Sequence, residues 1–263
     1  MKKIMLFAGT TEGRKLAEFL VDYPAEVYVS VATEYGRSCI RDSERIRVLC
    51  GRMDQQEMED CFERKRIELV IDATHPFAKE VTAHIKNACI KEKIPYIRCL
   101  REQTGNLERL EDKVQDTKII RVESVEDAVA FLKDVTGNIL IATGSKELEL
   151  YTRIECYKER CFARVLSVKE SLDKSIRLGF EGRNLIAMQG PFTKEMNVAL
   201  LRQTNASYFV TKESGNTGGF REKAEAAAEC GAVLVVVDRP EEEGWDFEKV
   251  CTYLAGMLAE RQK

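Results

Sequence analysis

The chain has no long hydrophobic run. Its opening apolar stretch, Ile4 to Ala8, is five residues. That is too short for a membrane span or for the apolar part of an export signal, so the sequence reads as a cytoplasmic protein with no membrane partner. Nor does it carry an excess of either charge. Its 41 Lys and Arg against 44 Asp and Glu leave a formal net charge of −3, and nothing global draws it to nucleic acid. The nine cysteines form no C-x-x-C pair, and their odd number argues against a disulfide framework. Most of them read as small buried hydrophobes. The two histidines, His75 and His84, do not make H-E-x-x-H, so no metal site is expected. The absence of G-x-S-x-G and of G-x-x-x-x-G-K-[ST] sets aside serine hydrolases and P-loop nucleotide triphosphatases. Even the dinucleotide fingerprint G-x-G-x-x-G is incomplete, because only Gly9 and Gly13 are present at the first turn.

What the sequence does have is alternation. Ile4 to Ala8 does not switch between apolar and polar, which fits a strand buried on both faces of a parallel sheet. Gly9 breaks it, Thr10 or Thr11 caps a helix, and Leu16, Ala17, Phe19 and Leu20 continue at helical spacing. Strands at Ala25–Ala32, Ile46–Cys50, Leu69–Ile71 and Pro95–Arg98 come next, with helices between them. Residues 101–117 lack periodicity and read as an inter-domain passage. A helix is expected over Val122–Val135. A second series has strands at Ile139–Ala142, Cys161–Leu166, Asn184–Met188, Ser207–Val210 and Ala232–Val237, helices starting near Lys146, Val168, Lys194 and Arg221, and a last helix over Phe247–Leu258. At 263 residues the chain has room for two domains. The expected fold is α/β: two Rossmann-like lobes with parallel sheets, residues 1–118 and 119–263, with a ligand cleft between them.

In such sheets, ligands lie beyond the carboxyl ends of the strands. The first turn, Gly9 to Arg14, offers amides and a helix start to a phosphate. At the second strand end, Ser30, Thr33 and Arg37 stand where NAD-binding sheets carry an acid, which tilts the reading toward NADPH over NADH. The fourth strand delivers Asp72-Ala73-Thr74-His75-Pro76-Phe77-Ala78. In the second series the strand ends carry Thr143-Gly144-Ser145-Lys146, Gln189-Gly190-Pro191-Phe192-Thr193-Lys194, Thr211-Lys212-Glu213-Ser214-Gly215 and Asp238-Arg239-Pro240. Lys146, Lys194, Lys212, Arg221 and Lys223 together suggest a basic wall for an anionic ligand. His75 is a candidate proton donor by its type and place, with water as its competitor. Tyr208 and Lys212 have the Tyr-x-x-x-Lys spacing of short-chain dehydrogenases. On a strand rising 3.3 Å per residue they would lie about 13 Å apart, too far to cooperate.

Read together, these strand-end motifs, with Glu222-Lys223-Ala224-Glu225-Ala226-Ala227 and Arg239-Pro240, resemble the precorrin-6A reductase family, which includes the cobalt-precorrin-6A reductases of the anaerobic vitamin B12 pathway. The resemblance runs in order over nearly the whole chain, and Asp72 to Ala78 is its most specific part. Glu213 departs from it, standing where an aspartate is commoner. The resemblance implies a reductase that takes a hydride from NADPH or NADH to one ring double bond of precorrin-6A or cobalt-precorrin-6A. Its cofactor contacts would be Gly9, Thr10, Thr11, Glu12, Gly13, Arg14, Asp72, Ala73, Thr74, His75, Pro76 and Phe77, to which the strand ends add Ser30, Arg37 and Gly51. Its substrate contacts would be Thr143, Gly144, Ser145, Lys146, Gly190, Pro191, Phe192, Lys194, Lys212, Ser214, Arg221 and Lys223. Contacts with neighbouring pathway enzymes would be transient. The competing reading is a two-lobed, non-catalytic protein that closes on a phosphorylated or polycarboxylate small molecule.

Overall fold

The computed structural model describes residues 1–41, 43–100, 118–213 and 219–259. The chain divides into two compact units, Met1–Gln103 with Pro240–Lys263, and Thr104–Arg239.

The first unit is built on parallel strands β1 (Lys2–Ala8), β2 (Ala25–Val31), β3 (Ile46–Cys50), β4 (Leu69–Ala73) and β5 (Tyr96–Arg98), in the order β3-β2-β1-β4-β5. Alternate residues of β1 serve two cores. Ile4, Leu6 and Ala8 pack with Leu16, Ala17 and Leu20 of helix α1 (Thr11–Leu20). Met5 and Phe7 pack on the other side with Met58, Cys61 and Phe62 of α3 (Gln55–Lys65), which comes after the short α2 (Glu34–Ser38), and with Ile85, Ala88 and Cys89 of α4 (Lys79–Glu92). That double burial is why the strand is apolar from Ile4 to Ala8.

The second unit has six parallel strands. They are β6 (Ile119–Val122), β7 (Asn138–Ala142), β8 (Cys161–Val165), β9 (Leu185–Ala187), β10 (Ala206–Lys212) and β11 (Val233–Val237), in the order β6-β11-β10-β7-β8-β9. The interleaved helices are α5 (Val125–Lys133), α6 (Tyr157–Arg160), α7 (Lys169–Arg177), α8 (Lys194–Thr204) and α9 (Phe220–Cys230). Two expectations are corrected here. The helix expected over Val122–Val135 starts later, because Ile119–Val122 pairs with β11 as an edge strand and Ser124 then caps α5, accepting from Asp127 N at 3.1 Å. The helix expected from Lys146 is a 3-10 turn, Leu148–Arg153, succeeded by the one-turn α6. Tyr208 and Lys212 do lie on one strand, β10. The expected passage at 101–117 lies outside the described residues.

After β11 the chain returns to the first unit. Trp245 N donates to Arg98 O at 2.8 Å and Leu100 N to Trp245 O at 2.7 Å, extending the first sheet beyond β5. Helix α10 (Phe247–Ala259) then adds Val250, Leu254 and Leu258 to the core that holds Leu16 and Leu20. The expected second lobe of 119–263 is therefore wrong in its last part. The spacing of the helix shows which face is apolar, but not which sheet that face covers.

Candidate active site

In the first sheet the strand order reverses between β1 and β4, the place where open α/β sheets receive ligands. The two motifs expected to hold the cofactor stand at the ends of these two strands. Thr10 fastens them together: its hydroxyl donates to Ala73 O at 2.8 Å and accepts from Gly13 N at 3.2 Å, capping α1. Of the two threonines considered, Thr10 is therefore the cap. Gly13 is required by packing, since a Cβ there would stand 2.9 Å from Ala8 Cα and 3.4 Å from Ala73 Cβ. Gly9 has no such neighbour within 4 Å, so its turn is open to an incoming group. Arg14 pairs with Glu18 at 2.6 Å along α1, and both side chains are largely in solvent.

The β4 turn is held from beneath. Asp72 is 0% exposed. Its Oδ1 accepts from Thr74 N at 2.9 Å, Thr74 Oγ1 at 2.7 Å and Arg98 Nη1 at 2.9 Å, and its Oδ2 from Tyr96 OH at 3.0 Å. Its oxygens are therefore taken up from within the protein, and it shapes the β4 turn instead of meeting a ligand as expected. Ala73 and Pro76 are also buried. Burial pushes the Tyr96 hydroxyl well above its ordinary pKa, and the Asp72 carboxylate adds to this, so Tyr96 is a constant donor. His75 is half-buried, and its Nδ1 accepts from Phe77 N at 3.3 Å. An accepting Nδ1 puts the neutral ring's proton on Nε2.

The ends of β2 and β3 lie alongside. Ser30 is buried in β2, paired in register with Phe7, and Gly51 N donates to Val31 O at 2.9 Å. Gly51 has φ +133° and nothing within 4 Å of a built Cβ. Thr33 caps α2, whose exposed surface carries both Arg37 and Glu34. The sequence reading missed Glu34, an acid in the neighbourhood where a ribose hydroxyl is bound in NAD-type sheets.

In the second sheet the order reverses between β7 and β10. The Lys212 ammonium at the end of β10 forms an ion pair with Glu147, just past Lys146. Gly144 has φ +84° and open space around it, Ser145 Oγ donates to Ser171 Oγ at 3.0 Å, and Thr143 is buried against the Tyr151 hydroxyl at 3.1 Å. Lys146 is exposed. The five expected basic residues do not form one wall. Lys194 pairs with Glu229 at 2.8 Å and Arg221 with Glu225 at 2.7 Å on the helix surfaces. Only Lys223 goes inside, at 9% exposure. Ser214 lies outside the described residues.

The buried charge centres on a residue the sequence reading passed over. Arg164 of β8 donates to Asn197 Oδ1 at 2.7 Å and lies 4.2 Å from the centroid of the Phe192 ring. Phe192, from the Gly190-Pro191-Phe192 motif, thus serves as a platform for a guanidinium. Burial pulls Arg164 down to about 10, still charged at neutral pH. Burial, and then the Arg164 charge, hold Lys223 at about 7, against the opposing pull of Glu222 and Glu213. Arg239 pairs with Glu213 at 2.9 Å. A signal for Arg164 was present: it is a lone cation in the otherwise apolar strand Cys161–Val165.

The family model described as Precorrin-6x reductase CbiJ/CobK matches residues 3–255. The chain belongs to that reductase family. Among curated relatives, a cobalt-precorrin-6A reductase of Priestia megaterium is 33% identical over 239 residues, covering 90% of each chain. One from Methanothermobacter thermautotrophicus is 34% identical over 243 residues, covering 90% of this chain and 76% of its own. A solved structure named CobK precorrin-6A reductase aligns over 97% of each chain with a TM-score of 0.73 at 23% identity, which shows the shared two-sheet α/β fold. As a precorrin-6x reductase, the chain is an enzyme of cobalamin biosynthesis, and the non-catalytic binding reading falls away. The reductase family implies a nicotinamide cofactor. Among the described residues, no helix is long and apolar enough to cross a membrane.

Proposed function

We propose that the chain reduces one ring double bond of precorrin-6A or its cobalt form to the 6B form in the cytoplasm, with NADPH or NADH as donor. The observation that carries this reading is the Thr10–Ala73 hydrogen bond, which joins the first turn to the most specific motif at the strand reversal. The residues there fit a dinucleotide: the Gly9 turn is open, Gly13 brings α1 close to β1, and the first-turn amides face a phosphate favourably. The nicotinamide supplies the hydride when bound.

The chain's own residues bind and orient. Gly9, Thr10, Thr11, Glu12 and Gly13 form the phosphate turn, with Arg14 at its margin, and Ser30, Arg37 and Gly51 line the neighbouring strand ends. The turn from Thr74 to Phe77 presents His75, whose Nε2 is the candidate proton source for the carbon beside the hydride acceptor. In the second unit, Gly144, Ser145, Lys146, Lys212 and Lys223, together with Arg164, meet the acetate and propionate groups of the macrocycle. Thr143 and Phe192 support them from behind.

The test is anaerobic turnover with precorrin-6A and with its cobalt form. Reduced-nicotinamide absorbance should fall in proportion to product. No loss with either substrate, under conditions where the macrocycle binds, overturns the reading. Cofactor choice is read from Arg37→Ala and Glu34→Ala, the first weakening NADPH selectively and the second NADH.

A further inference from the structure

Arg98 is a charged residue on β5, and its side chain is 2% exposed. Its guanidinium makes two sets of bonds. Nη1 faces the end of β4, donating to Asp72 O at 3.2 Å, Asp72 Oδ1 at 2.9 Å, Thr74 O at 3.0 Å and Thr74 Oγ1 at 3.3 Å. Nε and Nη2 reach Glu242 as a two-pronged pair, at 3.1 Å to Oε1 and 2.9 Å to Oε2. A fork of this kind fixes both distance and plane, which a lysine cannot do. Glu242 comes from the segment that rejoins the first unit, and the next residues lock it down. A Cβ on Gly244 would stand 2.7 Å from Arg98 O, and Trp245 N is bonded to that same oxygen.

The sheet itself does not need this arrangement. β4 and β5 already pair through their backbones, from Val70–Tyr96 to Asp72–Arg98. The groups Arg98 grips lie at and just beyond the end of β4, immediately before His75. Burial opposes its charge, and Asp72 and then Glu242 more than compensate.

We propose that the Arg98–Glu242 pair is a positioning device for the cofactor-side turn: Glu242 aims the guanidinium, and the guanidinium holds Asp72 and Thr74 so that His75 and its neighbours are presented in one geometry. This rests on the reading of that turn as the cofactor side. Arg98 and Glu242 act through Thr74 and are not themselves catalytic residues.

The test uses Glu242→Gln in the full chain, which keeps the shape and removes the charge. Hydrogen exchange is measured, without cofactor, at the amides of Thr74, Phe77 and Ala78, whose acceptors are Asp72 Oδ1, His75 Nδ1 and His75 O. Exchange there should rise at least tenfold with α1 and β2 unchanged. Cofactor Kd should rise at least fivefold, while the Kd of the tetrapyrrole stays within twofold. Arg98→Lys, which keeps the charge but lacks the fork, should reproduce these changes. Unchanged exchange at these amides in a folded variant overturns the proposal, and so does a uniform rise across the first unit. If Glu242→Gln does not fold, Glu242→Asp, which keeps the carboxylate but shortens its reach to the guanidinium, is read by the same criteria. A parent protein that binds neither NADH nor NADPH overturns the functional reading but leaves the exchange result to decide the positioning.

Discussion

At the reversal point of the first sheet, a hydroxyl crosses from one strand end to its neighbour, Thr10 Oγ1 to Ala73 O. At the reversal point of the second, the crossing is an ion pair, Lys212 to Glu147. The contrast continues beneath the surface. In the first unit the buried guanidinium, Arg98, is matched by two carboxylates and turned into a scaffold. In the second, Arg164 donates to an amide oxygen, and burial lowers its pKa with no carboxylate among the described residues to offset the shift. On the proposed reading, one strand–turn–helix plan supports two kinds of recognition. The first depends on how closely backbone can approach, the second on charge held out of water.

This comparison can be broken from either side. The largest effect is expected for Arg164→Met. A hydrogen bond to a charged group is worth roughly 1.5–3 kcal/mol, so the Kd of the polycarboxylate substrate should rise about 10- to 100-fold. Its salt dependence should become shallower, with cofactor affinity within twofold. Equal loss for both ligands in a binding titration would show that the units are not separable in this way. Gly13→Ala attacks shape, because the new Cβ would press on Ala8 Cα at 2.9 Å. Urea unfolding should show a loss of about 1–3 kcal/mol, cofactor affinity should fall and tetrapyrrole affinity should not.

The smallest and most diagnostic effect is with pH. Lys223, held at about 7, loses its charge as pH rises through neutrality. Substrate affinity should fall above that point, by at most about tenfold per pH unit for one required proton, and Arg164→Met should move the midpoint upward. The sign for stability is opposite. Between about 7 and the ordinary lysine value of 10.5, the unfolded chain holds a proton that the folded chain lacks, so this group's contribution rises with pH. Its penalty is fully present below 7. A Lys223→Met protein should show neither trend in calorimetry at stepped pH.

Much of the fold could be read from single strands. β1 announced a sheet buried on both sides because Ile4 to Ala8 leave no polar face. β6 was not legible, because three half-covered residues and the exposed Arg121 make no strand pattern, and Val122 looks like the start of the apolar helix that follows. The small and hydroxylated residues of the turns were legible too, since Gly9, Thr10 and Gly144 announce local backbone geometry. What failed was long-range partnership. Asp72 reads as a ligand contact until Arg98 and Tyr96 are seen to occupy it. Glu242 is 144 residues from its partner. Lys194 and Arg221 look like a basic wall until Glu229 and Glu225 appear beside them. Local sequence states what a side chain can do, and the topology decides what is left for it to do.

The return of α10 to the first sheet has a consequence for how the molecule is made. Val250, Leu254 and Leu258 complete the core that Ile4 begins. On a ribosome adding about 5–20 residues per second, the strands of the first unit emerge early and wait, with one apolar flank uncovered, for a helix encoded after the whole of the second unit. The intervening unit, continuous from Thr104 to Arg239, has its whole sequence available first. The half that is translated first is thus the last to be sealed. A premature stop before Val250 would leave the core around Ile4 without these three side chains.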